Sequence, residues 1–287
     1  MKFSLESLPW LALLCLPLAC NGGNGGGSAP TGEMVVQITD APLDRSLIAQ
    51  ASIDVTAVKV HHDSNGDSGF ITLYSGAPIA VDLLALNHAV VQQLADAELP
   101  VGTYHQVRLI VSAARLELTN GNVYSTAAGN LDLTSLDTSG LKVNVEPKID
   151  VLSGVSSTLL LDIDLSRSFN PIPSNDPLNA TSYLFLPVMK AHNLSDTGEI
   201  AGRVLKDDGL GGTIGVAEAN VFIQPPGDPD PLNAVAGTGT LPDGSYRVIG
   251  LLPGTYDVIA IKAPLQGSVA AQVVTVGNVT TADVIIQ

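Results

Sequence analysis

The chain has 287 residues, enough for two ordinary domains that each bury a core of their own. Acidic residues outnumber basic ones by 28 to 13, and a net charge of −15 repels a phosphate backbone and an anionic lipid surface alike. That balance argues against nucleic acid as a partner and against docking on anionic lipid through basic patches. Val, Ile, Leu, Thr and Gly are plentiful, while only five Phe and one Trp are present, a mixture that favours strands and tight turns over helices.

Lys2 supplies a thin positive start, and Leu8 through Ala19 form an apolar run too short to stay in a bilayer, since spanning takes about 20 apolar residues. The run ends in Leu16-Pro17-Leu18-Ala19-Cys20 and passes at once into Asn21-Gly22-Gly23-Asn24-Gly25-Gly26-Gly27-Ser28. These residues resemble the lipobox of bacterial lipoproteins, in which a small residue precedes a cysteine that takes the lipid. The family usually carries Leu where Pro17 stands. The resemblance implies a signal peptide over 1–19, lipidation at Cys20 and a Gly-rich tether over 20–31. It implies a lipid anchor in a bacterial cell envelope and, with Asn21 after the cysteine, in the outer membrane. An ordinary cleaved secretory signal is the other reading of the same residues. With Cys15 in the leader and Cys20 lipidated, the folded part holds no thiol, which removes disulfides, zinc-thiolate sites and cysteine nucleophiles.

From Glu33 onward, short alternating runs are punctuated by Gly, Pro, Asn and Asp. Met34 to Ile38 reads as an opening strand, stopped by Thr39-Asp40-Ala41-Pro42. Ile53, Val55 and Ala57 are apolar in alternation until Val58 and Val60 take over, which predicts a bulge. Phe70 to Tyr74 reads as the hairpin partner. Leu83, Leu86, Val90 and Leu94 share a helical face, so a short crossover helix is expected within Asp82–Leu94. Val107, Leu109 and Val111 alternate with Gln106 and Arg108, and Leu141, Val143 and Val145 alternate with Lys142, Asn144 and Glu146. Leu159, Leu161, Ile163 and Leu165 alternate with Asp162, Asp164 and Ser166, which predicts one buried and one solvated face. Tyr183 to Ala191 closes the first unit. A boundary follows at His192–Thr197, then strands from Glu199 to Ile286, with Pro225 to Pro231 as a surface loop. The fold class is mainly β: two antiparallel β-sandwich domains in tandem, 32–194 and 197–287, with one short helix in the first.

Gly198 to Val204, Ala219-Asn220-Val221, Asp243-Gly244-Ser245-Tyr246 and Leu251 to Val258 occur in an order that resembles the carboxypeptidase regulatory-like domain. That resemblance implies a seven-stranded sandwich of transthyretin type, with Asp243-Gly244 as a hairpin turn and Tyr246 and Tyr256 between the sheets. Ile38-Thr39-Asp40-Ala41-Pro42, Val58-Lys59-Val60-His61, Asp82-Leu83-Leu84 and Leu99 through Leu109 resemble an uncharacterised domain family of bacterial lipoproteins. It implies a fold and a location, and no activity.

Asp63-Ser64-Asn65-Gly66-Asp67-Ser68-Gly69 starts like a calcium loop, with Asp63, Asn65 and Asp67 as oxygen ligands at alternate positions. Ser68 then stands at the glycine position and Tyr74 at that of the bidentate Glu. The same residues suit any hairpin loop. Asp40 with Asp44, and Asp162 with Asp164, are carboxylate pairs that could hold a metal or work as acid and base, against the reading of a turn cap and a solvated face. His61 and His62 are strand neighbours that point to opposite faces, and His88, His105 and His192 stand alone. Tyr74, Tyr104, Tyr124 and Tyr183 would suit a sugar-stacking surface if they were exposed together. There is no Gly-x-Ser-x-Gly elbow, phosphate loop or His-Glu-x-x-His helix. The expected function is therefore non-catalytic: a membrane-anchored envelope binding module, with carbohydrate as a candidate ligand. The alternative is an assembly lipoprotein that pairs with another envelope protein. An exposed aromatic trio would favour the first, and an apolar patch or open sheet edge the second.

Overall fold

The computed structural model describes residues 29–40, 47–63, 69–173 and 176–287. The first unit holds β1 (Thr31–Asp40), β2 (Ile48–His62), β3 (Phe70–Asp82), β4 (Gln92–Pro100), β5 (Gly102–Leu118), β6 (Val123–Ser125), β7 (Leu131–Asp132), β8 (Leu141–Val151) and β9 (Ser156–Asp164). A single helical turn, α1 (Leu165–Ser168), precedes β10 (Phe169–Ile172), β11 (Ser182–Phe185) and β12 (Val188–Asn193). One continuous sheet runs β3-β2-β5-β8-β12-β9-β1-β4, with β6 beside β5. Its corner is the narrow β8–β12 junction, where Ala191 pairs with Val145. The two ends of the sheet then meet, and Gln92 Nε2 donates to the Ala80 carbonyl at 2.8 Å.

Alternation decides which side chains enter the layer so formed. Val107, Leu109 and Val111 are buried while Gln106 and Arg108 lie nearer solvent, and β8 buries Val143 and Val145 but exposes Lys142 and Asn144. The bulge expected in β2 is present, and pairing slips between Val55 and Ala57 and again after Val58. Most ladders are antiparallel, as expected, although β1 with β9 and β8 with β12 are parallel. β10, β11 and β7 make a small separate sheet that packs Phe169 and Phe185 together, ring centroids 4.7 Å apart.

The expected crossover helix within 82–94 is not formed. Leu83–Leu86 is one 3-10 turn capped by the Asp82 side chain, and Leu94 belongs to β4. His88 and Ala89 adopt φ of 59° and 62°, which ends any helix. Leu83, Leu86 and Leu94 are buried all the same, by a turn followed by a strand, while Val90, the fourth residue of the expected face, is 48% exposed. The Thr39 hydroxyl pins this turn, lying 3.1 Å from the Leu86 carbonyl and 2.9 Å from that of Val90. Thr39→Val keeps the shape and removes the hydroxyl; it is expected to cost about 1 kcal/mol in urea unfolding. An unchanged midpoint would show that the turn holds without it.

The second unit comprises β13 (Gly198–Asp207), β14 (Thr213–Gly215), β15 (Asn220–Gln224), β16 (Ala236–Gly239), β17 (Ser245–Leu251), β18 (Gly254–Lys262), β19 (Leu265–Val274), β20 (Val279–Thr281) and β21 (Val284–Ile285). One sheet is β14-β13-β17, with β20 and β21 parallel to β13, and the other is β16-β15-β18-β19. Ile200, Val204, Val221, Ile223, Val258 and Val284 meet between them in a core separate from the first. Tyr246 is buried there and donates its hydroxyl to the Ala282 carbonyl, and the half-buried Tyr256 packs against the same core. The Asp243-Gly244 turn differs from expectation. β16 pairs with β15 and β17 with β13, so the turn carries the chain from one sheet to the other. Gly244, at φ +81°, supplies the left-handed residue this needs.

Candidate functional site

β9 is covered on both faces. Leu159, Leu161 and Ile163 enter the first core, while Leu160, Asp162 and Asp164 point to the second unit. Leu160 is buried against Gly250, whose φ of +76° and lack of Cβ allow the approach. The solvated carboxylate face expected here is thus a domain junction. Asp164 is 7% exposed. Burial, reinforced by the charge of Asp164 and opposed by that of Lys190, pushes the Asp162 carboxyl up to about 7. Lys190 Nζ donates across the junction to the Val235 carbonyl at 2.5 Å, and the His88 amide donates to Thr238 Oγ1 at 3.2 Å.

Asp164 organises α1. One of its oxygens accepts from the Ser166 hydroxyl at 2.6 Å and from the Arg167 amide at 3.2 Å, and the other accepts from Arg167 Nε at 2.5 Å. The turn places Arg167 on the wall of a cleft of about 590 Å³ between the two units. Ile48, Leu116, Leu118, Leu165 and Phe169 form the wall of the first unit. Phe222, Ile261 and Leu232 form the facing wall, with Asn220 beside them. That second wall exists because β15 has two apolar faces. Val221 and Ile223 enter the sandwich, whereas Phe222 turns outward and packs with Ala234, Ile259 and Ile261. Pro231 and Leu232, at the end of the expected surface loop, complete the rim.

Among the described residues, Tyr183 alone of the expected site residues lines this cleft, with the Tyr124 ring 4.5 Å behind it. Cys20, Asp44, Asn65 and Asp67, with the Asp40 side chain, lie outside the described residues. Asp63 is described, and its carboxylate is held by Lys148 Nζ at 2.9 Å and by His105 Nδ1. Its pKa is lowered, first by the hydrogen bond from Lys148, so a cation in that loop would compete with two side chains. His61 packs on Phe70 and His105, and His62 on Tyr104, on opposite faces as strand neighbours do. His192 Nδ1 lies 2.6 Å from the Glu146 carbonyl. Tyr104, Tyr124 and Tyr183 are interior, each bonding a carbonyl through its hydroxyl, and Tyr74 bonds the Ala77 carbonyl. They form no shared stacking face. Among the described residues, no helix is long and apolar enough to cross a membrane.

Fold and cleft define a mainly β protein of two packed units with an apolar site at their junction. The chain belongs to the family described as Domain of unknown function (DUF4382), whose model matches residues 31–187. No curated protein matches it. Among solved structures, the TIE protein of Bacillus anthracis is similar over 90% of this chain and 34% of its own, at 13% identity and a TM-score of 0.24. The chain therefore spans about a third of that protein. The minor pilin of Streptococcus agalactiae is similar over 88% of this chain and 95% of its own, at 10% identity and a TM-score of 0.23. The major pilin subunit of Bacillus cereus gives 90% and 70%, at 7% identity and a TM-score of 0.23. Similarity at this level assigns no function.

Proposed function

We propose that the protein is a lipid-anchored component of the bacterial cell envelope, held at Cys20 on the outer membrane, that works by binding an apolar ligand between its domains. The observation that carries this reading is the cleft itself, whose walls are aliphatic and aromatic and come from both units. Its volume lies within the usual range of small-molecule sites, about 300–1,000 Å³. Binding rather than catalysis fits the polar groups present. Ser166 and Arg167 are both engaged by Asp164, in the hydrogen-bond network that caps α1. A carbohydrate ligand gains little support, since Tyr104 and Tyr124 are interior and Tyr183 is the one tyrosine at the cleft, itself 3% exposed. A second reading, assembly with another envelope protein, is favoured by Val273, Val276 and Val279, which stand exposed around the β19–β20 connection.

The test has two parts. The Cys20→Ala chain is expected in the soluble fraction, and finding it still in membranes would remove the anchor. The uncharged dye N-phenyl-1-naphthylamine is expected to brighten on binding the full chain and to fail with Phe222→Ser. A dye that binds both forms equally would place the apolar site elsewhere.

A further inference from the structure

The cleft contains one cationic group among its apolar walls, and that group is already half used. Arg167 gives Nε to Asp164, while its two Nη atoms make no hydrogen bond among the described residues. Its side chain stays 40% exposed, so the outer edge of the fork remains open to a ligand. We infer that the cleft takes an amphipathic molecule with a single hydrocarbon chain and a terminal carboxylate, the chain on Phe222, Ile261 and Leu118 and the carboxylate on Arg167. This deepens the reading of the cleft as an apolar site and rests on it.

Charge selects the head group. The guanidinium's single positive charge is delocalised over its whole fork, so with Asp164 on Nε the open Nη edge still offers charge-assisted donors in a plane that matches a carboxylate. A dianionic phosphate would bring a second charge toward Asp164 and Asp162, which face the same junction. A cationic head finds no acceptor on the guanidinium, which has donors alone. Volume selects the tail, because about 590 Å³ houses one chain and falls short of a two-chain lipid. Asn220, beside Phe222, adds an amide that can donate to a carboxylate.

The experiment uses the full chain carrying Cys20→Ser, so that no attached lipid competes. Bound N-phenyl-1-naphthylamine is displaced by octanoate, by decanoate, or by decyltrimethylammonium, all below their micelle concentrations. Decanoate is expected to bind at least about tenfold more tightly than the ammonium amphiphile. Each methylene from octanoate to decanoate is expected to tighten binding by up to about fourfold. Arg167→Gln should abolish the head-group preference. Because that change also strips Asp164 of its partner, Leu232→Glu serves as a second variant: Leu232 is 67% exposed, so the fold tolerates it. It places a carboxylate at the mouth and should weaken decanoate while strengthening the ammonium compound. Dye binding with no head-group preference would overturn this inference and leave the apolar site standing, whereas no dye binding would overturn both. A preference that ignores both variants would put the carboxylate somewhere other than Arg167.

Discussion

Replacing Phe185 by Ala is expected to destabilise the first unit by about 3–5 kcal/mol, the range for a large aromatic removed from a packed core. Phe185 is fully buried and its ring lies against Phe169 at 41°, so the loss includes an aromatic pair as well as buried area. In calorimetry the transition of the first unit should fall by about 10 °C. The second transition should hardly move, because no residue of the second core packs on Phe185. Phe185→Leu, which refills much of the volume, should cost only about 1 kcal/mol. Equal displacement of both transitions would show that the two cores unfold as one. Phe169 also lines the cleft, so the Ala variant should weaken dye binding even where the protein stays folded.

Stability is expected to fall as pH rises from about 4 to about 7, and Asp162→Asn should remove most of that fall. The carboxyl titrates near its ordinary 3.8 when unfolded and at about 7 when folded. Between those values the folded chain keeps a proton that the unfolded chain has lost. Protonation therefore favours the folded state, and the gain fades as pH climbs through the folded pKa. The groups around Asp162 are Asp164 with its partner Arg167, Lys190, and Arg247, which is itself paired to Glu199. Burial outweighs the charge of Lys190, which draws the pKa down, and Asp164 adds to the rise. The Asn variant should be more stable than the parent at pH 8 by on the order of 3 kcal/mol. Urea midpoints across pH 4.5–8.5 would decide it, and an unaltered slope in the variant would clear Asp162 of the effect.

Much of the fold could be read from alternation, because a strand with one wet face writes its burial into every second residue. Val107-Leu109-Val111 and Val143-Val145 behaved in this way, and the parity change at Val58 marked the bulge. Asp162 and Asp164 alternate just as cleanly, yet their face is covered by the second unit. Alternation reports that two faces differ, and a second unit can cover the polar one. The helix expected near Leu86 failed for a related reason. Spacings of three and four also arise when a 3-10 turn is followed by a strand. The cleft was the least legible feature, since its walls come from residues far apart in sequence, Leu118 and Phe169 against Phe222 and Ile261. One signal was available. Val221-Phe222-Ile223 and Val258-Ile259-Ala260-Ile261 are unbroken apolar runs, which is how strands covered on both faces read.

β1 lies between β4 and β9, antiparallel to one and parallel to the other, with Glu33 opposite both Glu98 and Ser156. The first strand of the first core therefore cannot complete its ladders until a partner more than a hundred residues later has arrived. Such long-range pairing makes the ordering step slow, since loop closure precedes any reward from contact. The topology thus makes residues 156–164 the gate of the first core, so a chain cut short before them cannot seat β1 between both of its neighbours.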